Sequence, residues 1–193
     1  HVACESLATK GLVVISGEVR TNANIDTEQI VKDTIKEIGY NKSNSGVDPN
    51  DIEVLSKLHS QSPEIAQGVD SEDLASQGAG DQGLMFGYAC KETPELMPLP
   101  IQISHRLTEK LTDLRKSGEL QWLRPDGKSQ VSVAYENGSP ISIEKTVIAT
   151  QHNDMIKEYG SEESELKFVE KEVINHVIKP VLDSYGYPYS ENF

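Results

Sequence analysis

The stretch "WLRPDGKSQV", residues 122–131, places an acid and a base two residues apart, just before a predicted strand. Lys128 at the mouth of that strand could meet a phosphate, and Asp126 beside it could meet a hydroxyl or a metal-bound water. The same residues also fit an exposed turn at 125–127 with a surface ion pair. The spacing therefore leaves a ligand site and a plain turn both open.

A second candidate is the glycine-rich stretch "GAGDQGLMFGYA", residues 78–89, with Asp81 and Gln82 in its middle. Dense glycine indicates backbone that passes close to something or takes positive φ. The spacing matches neither a P-loop nor the dinucleotide-binding G-x-G-x-x-G pattern. The alternative to a ligand loop is a tight turn in which Asp81 caps the next segment.

Two further acids, Glu5 and Glu18, lie on the first two strand-like segments. An acid in apolar surroundings is costly unless it is paired or ligating, although both could also lie on a solvated face. The five histidines are scattered without an i, i+4 pair, which argues against zinc. No G-x-S-x-G stretch is present, so the sequence offers no evident protein nucleophile.

The amino-acid composition limits the kinds of molecule that the chain is expected to bind. The net charge of −13, from 18 Lys and Arg against 31 Asp and Glu, disfavours nucleic acid and an anionic membrane surface. A small anionic ligand would need local lysines, backbone N–H groups or metal ions. Two cysteines make no disulfide framework and no apolar run could span a membrane, so we expect a cytoplasmic location.

The elements that must position these residues alternate between strand and helix patterns. A length of 193 residues suits one or two domains. In the first part, residues 11–19 predict a strand and residues 24–40 a helix that begins at Asp26 or Thr27. Residues 60–77 are polar and lack periodicity, which is typical of a functional or disordered connection.

The second part carries the clearest patterns. Residues 100–118 predict a helix with an apolar stripe, formed by Ile103, Leu107, Leu111 and Leu114. Two alternating strands flank the dipeptide at 137–138, Asn-Gly, which is the favoured hairpin turn. Residues 161–179 predict a further helix, and Pro180 is expected to stop it.

Together these stretches resemble one family. "VACES…TKG…GEV", "QSPEIAQGVD", "GAGDQGLMFGYA", "WLRPDGKSQV" and "ATQH" occur in this order in the methionine adenosyltransferase (S-adenosylmethionine synthetase) family. The resemblance covers nearly the whole chain. It implies an α/β (α+β) fold of pseudo-repeated domains, each a mixed or antiparallel sheet with helices on one face. It also implies an incomplete N-terminal domain at 1–63, an active-site gating loop at 64–76 and a central domain at 77–193.

The resemblance implies an enzyme that makes S-adenosylmethionine from ATP and L-methionine. In this family the methionine sulfur attacks C5′ of ATP in an SN2 displacement, and phosphate and pyrophosphate are released. Two Mg²⁺ per site and K⁺ are the implied cofactors. The implied partner is a second copy of the chain, in a homodimer or homotetramer with the active site at the interface. Such chemistry needs no protein nucleophile, in keeping with the sequence.

The family's binding roles are assigned to residues of this chain only where its motifs match those of the family. The resemblance places Glu5 at potassium, Glu18 and Gln61 at methionine, and four residues at ATP: Ser62, Asp81, Asp126 and Lys128. Lys128 would meet the phosphates. No catalytic residue falls within this segment, because the family's N-terminal G-H-P-D-K motif and its C-terminal part are not in the sequence.

Three interpretations follow from those missing motifs. The first is part of a full methionine adenosyltransferase, inactive as 193 residues alone. The second is a non-catalytic fragment that acts as a dimerisation or interaction module. The third is a nucleotide-binding domain with other chemistry, for which the usual motifs are absent. A local departure is Gly127, which stands where the family usually has alanine.

Overall fold

The structure, a computed structural model, describes residues 2–40, 47–69, 71, 73–191 and 193, without the side chain of Leu74. The chain forms two compact units, His1–Gly87 and Tyr88–Phe193. One unit has a mixed sheet and the other an antiparallel sheet, both accompanied by helices, which confirms the predicted α/β class. The predicted division at 63, 76 and 193 stays a prediction.

The first unit contains a three-stranded sheet in the order β1-β2-β3. β1 is antiparallel to β2, whereas β2 and β3 are parallel and are connected through helix α1. Two short 3-10 turns lie at Pro49–Asp51 and Leu74–Ser76. The elements of this unit are β1 Val2–Thr9, β2 Leu12–Val19, α1 Thr27–Ile38, β3 Glu53–His59 and α2 Pro63–Val69.

Helix α1 begins where the sequence predicts it. Of the two predicted caps, Asp26 takes the role, because its side chain accepts a hydrogen bond from the Gln29 N–H at 3.0 Å. Gly39 ends the helix in the left-handed conformation. The local signals were therefore sufficient for this element.

The connection 60–77 is more regular than its sequence pattern indicates. Helix α2 lies within it, beginning at Pro63, a residue favoured in the first helical turn. Periodicity missed this helix because Val69 is its one buried residue, so it presents no apolar stripe.

The second unit is a long β-ribbon with helices on one face. β4 and β5 pair antiparallel through a turn in which Asn137 has φ 49° and Gly138 φ 76°, as expected for a type I′ hairpin. The predicted hairpin is confirmed. The elements of this unit are α3 Leu99–Ser117, β4 Leu123–Glu136, β5 Ser139–His152, α4 Ile156–Tyr159, α5 Glu162–Val173, a π-helical turn Ile174–Ile178 and α6 Lys179–Tyr185.

The core of this unit lies between the ribbon and its helices. The predicted apolar stripe of α3 is buried along its whole length. It packs with Leu123 and Ile143 of the ribbon and with Val177 and Leu182 from the last helical segments. Alternate ribbon residues face this core, so the intervening residues lie on the opposite, open face.

The prediction that Pro180 stops the last helix is wrong. The helical path continues through Pro180 to Tyr185. The π turn before it explains this, since the Lys179 N–H bonds back five residues to the Ile174 carbonyl. That wider turn changes the hydrogen-bond register just where proline has no N–H to donate.

The predicted turn at 125–127 is also wrong. These residues lie within β4, where pairing passes from Leu123 opposite His152 directly to Gly127 opposite Thr150. Three residues of β4 therefore face a single residue of β5, which is a bulge rather than a chain reversal. A bulge tolerates Pro125 because the extra residues need not donate to the ladder.

Candidate functional site

In the first unit, three predicted residues gather at one end of the sheet. Glu18 lies near the end of β2, opposite His59, the last residue of β3. Gln61 and Ser62 follow directly after β3. Because β2 and β3 are parallel, their carboxyl ends meet at the same edge and bring these groups together.

Glu5 lies on the same face of the sheet as Glu18. Glu5 pairs with Ser16 and Ala3 pairs with Glu18, so the two acids are diagonal neighbours across β1 and β2. Such neighbours lie roughly 7–8 Å apart. Glu5 is exposed and Glu18 is half-buried, so the acids occupy a solvated face.

Ser62 accepts hydrogen bonds from the first turn of α2. Its Oγ accepts a hydrogen bond from the Ile65 N–H at 3.3 Å, and its carbonyl accepts one from the Ala66 N–H. The hydroxyl hydrogen stays available to a ligand, since accepting one bond does not use it. Gln61, half-buried beside it, has both amide donors and an acceptor.

The glycine-rich stretch closely approaches the end of α2. The Gly78 N–H donates to the Val69 carbonyl at 3.0 Å. A Cβ on Gly78 would lie 2.5 Å from the Gly68 carbonyl oxygen, so only glycine fits there. This contact explains the first glycine, although not the later ones.

Asp81 lies in a bend of the glycine-rich stretch, and no helix or strand follows directly for it to cap. Its Oδ1 accepts a hydrogen bond from the neighbouring Gln82 N–H at 2.7 Å, and the residue is exposed. Its second carboxylate oxygen faces solvent in this arrangement. The apolar side chains that follow are also open, with Leu84, Met85 and Phe86 exposed by 82%, 92% and 94%.

In the second unit, Asp126 and Lys128 share the open face of the ribbon. Both are exposed, whereas Gly127 between them faces the helices, where a Cβ would lie 3.3 Å from Leu111 Cδ1. Within the described ranges, neither Asp126 nor Lys128 has an ion-pair partner. The surface ion pair of the alternative interpretation is therefore not formed, and both charges can meet a ligand.

A side-chain hydrogen bond that the sequence did not predict holds this segment in place. Arg124, half-buried in the β4 bulge, donates from Nε to Asn153 Oδ1 at 2.6 Å. Burial lowers the pKa of the Arg124 guanidinium, and the nearby positive charge of Arg115 adds to this effect. The partners are 29 residues apart, so only the strand register could have indicated their contact.

The described residues do not build a complete metal centre. No group of three or more His, Cys, Asp or Glu side chains that could hold an ion occurs among them. Glu5 provides one exposed carboxylate, which is fewer ligands than either Mg²⁺ or K⁺ requires. In the same described ranges, no helix is both long and apolar enough to cross a bilayer.

Two family models match the chain in succession. Residues 1–63 match the S-adenosylmethionine synthetase N-terminal domain. Residues 76–191 match the central domain of the same enzyme. The chain therefore belongs to the S-adenosylmethionine synthetase family, as the resemblance predicted.

A curated relative indicates the same family, although that protein is about twice as long as this chain. The chain is similar to the S-adenosylmethionine synthase of Oleidesulfovibrio alaskensis, with 49% identity over 187 residues. The match covers 97% of this chain but 46% of that protein. The chain thus spans about half the length of the curated relative it matches.

Proposed function

We propose that the full-length protein to which this chain belongs makes S-adenosylmethionine from ATP and L-methionine. The sulfur lone pair forms the S–C5′ bond while the C5′–O5′ bond breaks, and the electron pair leaves with the tripolyphosphate. Water then cleaves the tripolyphosphate to phosphate and pyrophosphate. The observation that carries the proposal is the succession of two synthetase domain models along one chain.

The first unit would bind methionine. The Glu18 carboxylate can accept hydrogen bonds from the substrate ammonium group, and the Gln61 amide beside it can donate to the substrate carboxylate. Their gathering at the ends of two parallel strands supports this role. A neutral sulfur needs no base, so the work of these residues is orientation.

Each unit offers groups of its own to ATP. Lys128 offers an exposed ammonium that has no ion-pair partner among the described residues, which suits a polyphosphate. Asp126 on the same face can accept hydrogen bonds from a nucleotide hydroxyl or a bound water. Ser62 Oγ can donate, and the open oxygen of Asp81 can accept, at the nucleotide.

This chain would supply only part of the ligands that the expected metal ions need. Two Mg²⁺ per site and K⁺ are the expected cofactors, and Glu5 is the proposed potassium ligand. One carboxylate cannot hold an ion by itself, so further ligands must come from outside these residues. We accordingly propose that the 193 residues alone form no product.

A direct test measures S-adenosylmethionine formation by the full-length protein with ATP, methionine, Mg²⁺ and K⁺. Lys128→Met should lower kcat/KM about 100-fold, because charge on the leaving tripolyphosphate loses a partner. Lys145→Met, which removes an exposed lysine from the neighbouring strand, is the matched control and should be near neutral. Equal activity of both variants would contradict the role of Lys128.

A second candidate function is a non-catalytic interaction module, in which the chain forms a dimer. The exposed side chains of Leu84, Met85 and Phe86 favour it, since a partner surface would cover them. The two candidates differ in the full-length protein, which forms S-adenosylmethionine under the first and does not under the second, and they agree on the 193-residue chain. A dimer that makes no product fits both, whereas turnover by this chain would contradict the proposed inactivity.

A further inference from the structure

A groove of about 640 Å³, the α3–α6 groove, lies in the second unit between helices α3 and α6. The segment that precedes α3 also lines it, through Glu92, Pro94 and Glu95. Among the described residues, those that form the lining include none of the groups assigned above to methionine, ATP or potassium. The proposed reaction therefore leaves this groove without a role.

Tyrosine and proline side chains form the apolar part of the lining. Tyr185 and Tyr187 are half-buried and pack against the core of the unit, so their rings are held in place. Pro94 and Pro180 are exposed, and a proline ring has almost no side-chain entropy to lose when a partner covers it. Grooves with aromatic linings of this kind bind segments in the polyproline II conformation.

The positive charge of Arg106, which also lines the groove, is already balanced by neighbouring acids. The guanidinium contacts Glu109 at 2.6 Å and Glu95 at 2.7 Å. Hydrogen bonds with Glu109, then with Glu95 and the Tyr185 hydroxyl, raise the pKa of Arg106 above its ordinary value. Arg106 thus holds two carboxylates in position at the groove and offers little free charge to an anion.

Acidic groups predominate in the lining as a whole. Four carboxylates and two cationic side chains line the groove, so its formal net charge is −2. Asp113 follows Arg106 by two helical turns on α3, which places it roughly 10 Å further along the helix. Acidic groups therefore occur at two levels, with Glu95 and Glu109 beside Arg106 and Asp113 two turns away. A partner with two positive charges at this spacing complements the groove.

We propose that the α3–α6 groove docks a proline-rich segment of a partner protein that carries two arginines three residues apart. A polyproline II helix has three residues per turn and rises roughly 3.1 Å per residue, so such arginines share one face and lie about 9 Å apart. This spacing matches the two acidic levels of the groove. The prolines between the arginines would pack against the rings of Tyr185 and Tyr187. The inference does not depend on the proposed catalysis.

Fluorescence anisotropy of a labelled peptide, Pro-Pro-Arg-Pro-Pro-Arg-Pro-Pro, tests docking to the full-length protein. We expect saturable binding of one peptide per chain. The same peptide with glutamate in place of arginine should not bind, because the acidic groove repels it. A peptide with glycine in place of proline should bind at least about tenfold more weakly, since ordering a flexible chain costs more entropy. Failure of the proline–arginine peptide to bind, or equal affinities of the proline and glycine peptides, would overturn the proposal.

Substitutions at Asp113 locate the bound peptide. Asp113→Asn should weaken binding about fivefold, as loss of an exposed ion pair does. Asp113→Lys should weaken it further and should favour Pro-Pro-Arg-Pro-Pro-Glu-Pro-Pro, in which the second charge is reversed. Glu37→Gln, which removes an exposed acid from α1 of the first unit, is the matched control and should leave the affinity unchanged. Equal effects of Asp113→Asn and Glu37→Gln would mean that the peptide responds only to overall charge, and would overturn docking in this groove.

Discussion

Arg124 on β4 and Asn153, the residue after β5, are joined by a 2.6 Å hydrogen bond across the base of the ribbon. The Asn153 N–H also donates to the Trp122 carbonyl at 2.9 Å, so both ends of the contact are tied to the strand pair. The contact closes the bulge that contains Asp126. We infer that it fixes the direction of Asp126 relative to Lys128.

We predict that Arg124→Lys lowers the free energy of unfolding by about 1–2 kcal/mol. Lysine cannot reproduce the fixed N–H geometry of the guanidinium, and the Asn153 amide then loses its charged partner. Urea unfolding measures the loss. A double-mutant cycle with Asn153→Ala is the control, because the two losses should not add if the contact is real. Fully additive losses would contradict the inference.

Glu92 should make stability depend on pH. It accepts hydrogen bonds from the Leu99 N–H at 2.8 Å and from the Tyr135 hydroxyl at 2.7 Å. These bonds, the Leu99 one first, lower the pKa of the Glu92 carboxyl. A carboxyl whose pKa is lower in the folded state stabilises above its unfolded pKa of about 4.3, and this contribution is lost as pH falls through the lower folded value.

We therefore predict that Glu92→Gln destabilises the protein by about 1 kcal/mol at pH 7, as loss of a helix cap does. Near pH 3 the difference from the wild type should shrink. Urea unfolding at both pH values measures it. Glu163→Gln, which breaks only an exposed ion pair with Lys167, is the control and should cost less than about 0.5 kcal/mol. A pH-independent difference for Glu92→Gln would contradict the assignment.

Gly78→Ala should disturb the junction between α2 and the glycine-rich stretch. The new Cβ would meet the Gly68 carbonyl at 2.5 Å, and relieving this clash should cost about 1–3 kcal/mol. Faster hydrogen exchange at Pro63–Val69 is the expected readout. Gly83→Ala is the matched control, because nothing lies within 4 Å of its Cβ position. Equal effects of the two substitutions would show that the contact is unimportant.

Gly127→Ala, which introduces the residue that the resemblance leads us to expect at this position, should be tolerated. Its Cβ would lie 3.3 Å from Leu111 Cδ1, and the end of this flexible side chain can move by a few tenths of an ångström. The other neighbours, Ala149 O and Thr150 Oγ1, would lie at an ordinary contact distance of 3.9 Å. Because alanine restricts the unfolded chain, stability should stay equal or rise by up to about 1 kcal/mol. Thermal unfolding measures the change. Gly127→Val, which needs more room, should destabilise; a loss with alanine would mean that Leu111 cannot move.

Local sequence signals predicted the elements whose determinants are short-range. The start of α1 at Asp26 or Thr27, the buried stripe of α3 and the turn at 137–138 each depend on residues that are close together in the sequence. Each was predicted correctly for that reason. The match of two family models likewise confirms the family that the motifs indicated.

The incorrect predictions concern features that depend on residues distant in the sequence. The residues 125–127 read as a turn because proline and glycine favour one, but pairing with β5 forces them into a bulge. Pro180 fails to stop its helix because the preceding π turn changes the hydrogen-bond register. The contact between Arg124 and Asn153 could not be predicted from the sequence, because no local pattern specifies the register of the two strands.

The two units differ in how much apolar surface they enclose. Among the described residues, the buried apolar side chains of the first unit are Val13, Pro49, Ile52 and Val69, and none lies on α1. The second unit buries one continuous cluster. On heating, we expect the first unit to open well below the melting temperature of the second. On the proposal that methionine binds at Glu18, the ligand would stabilise the first unit against heat, and calorimetry would record the two unfolding transitions moving closer together.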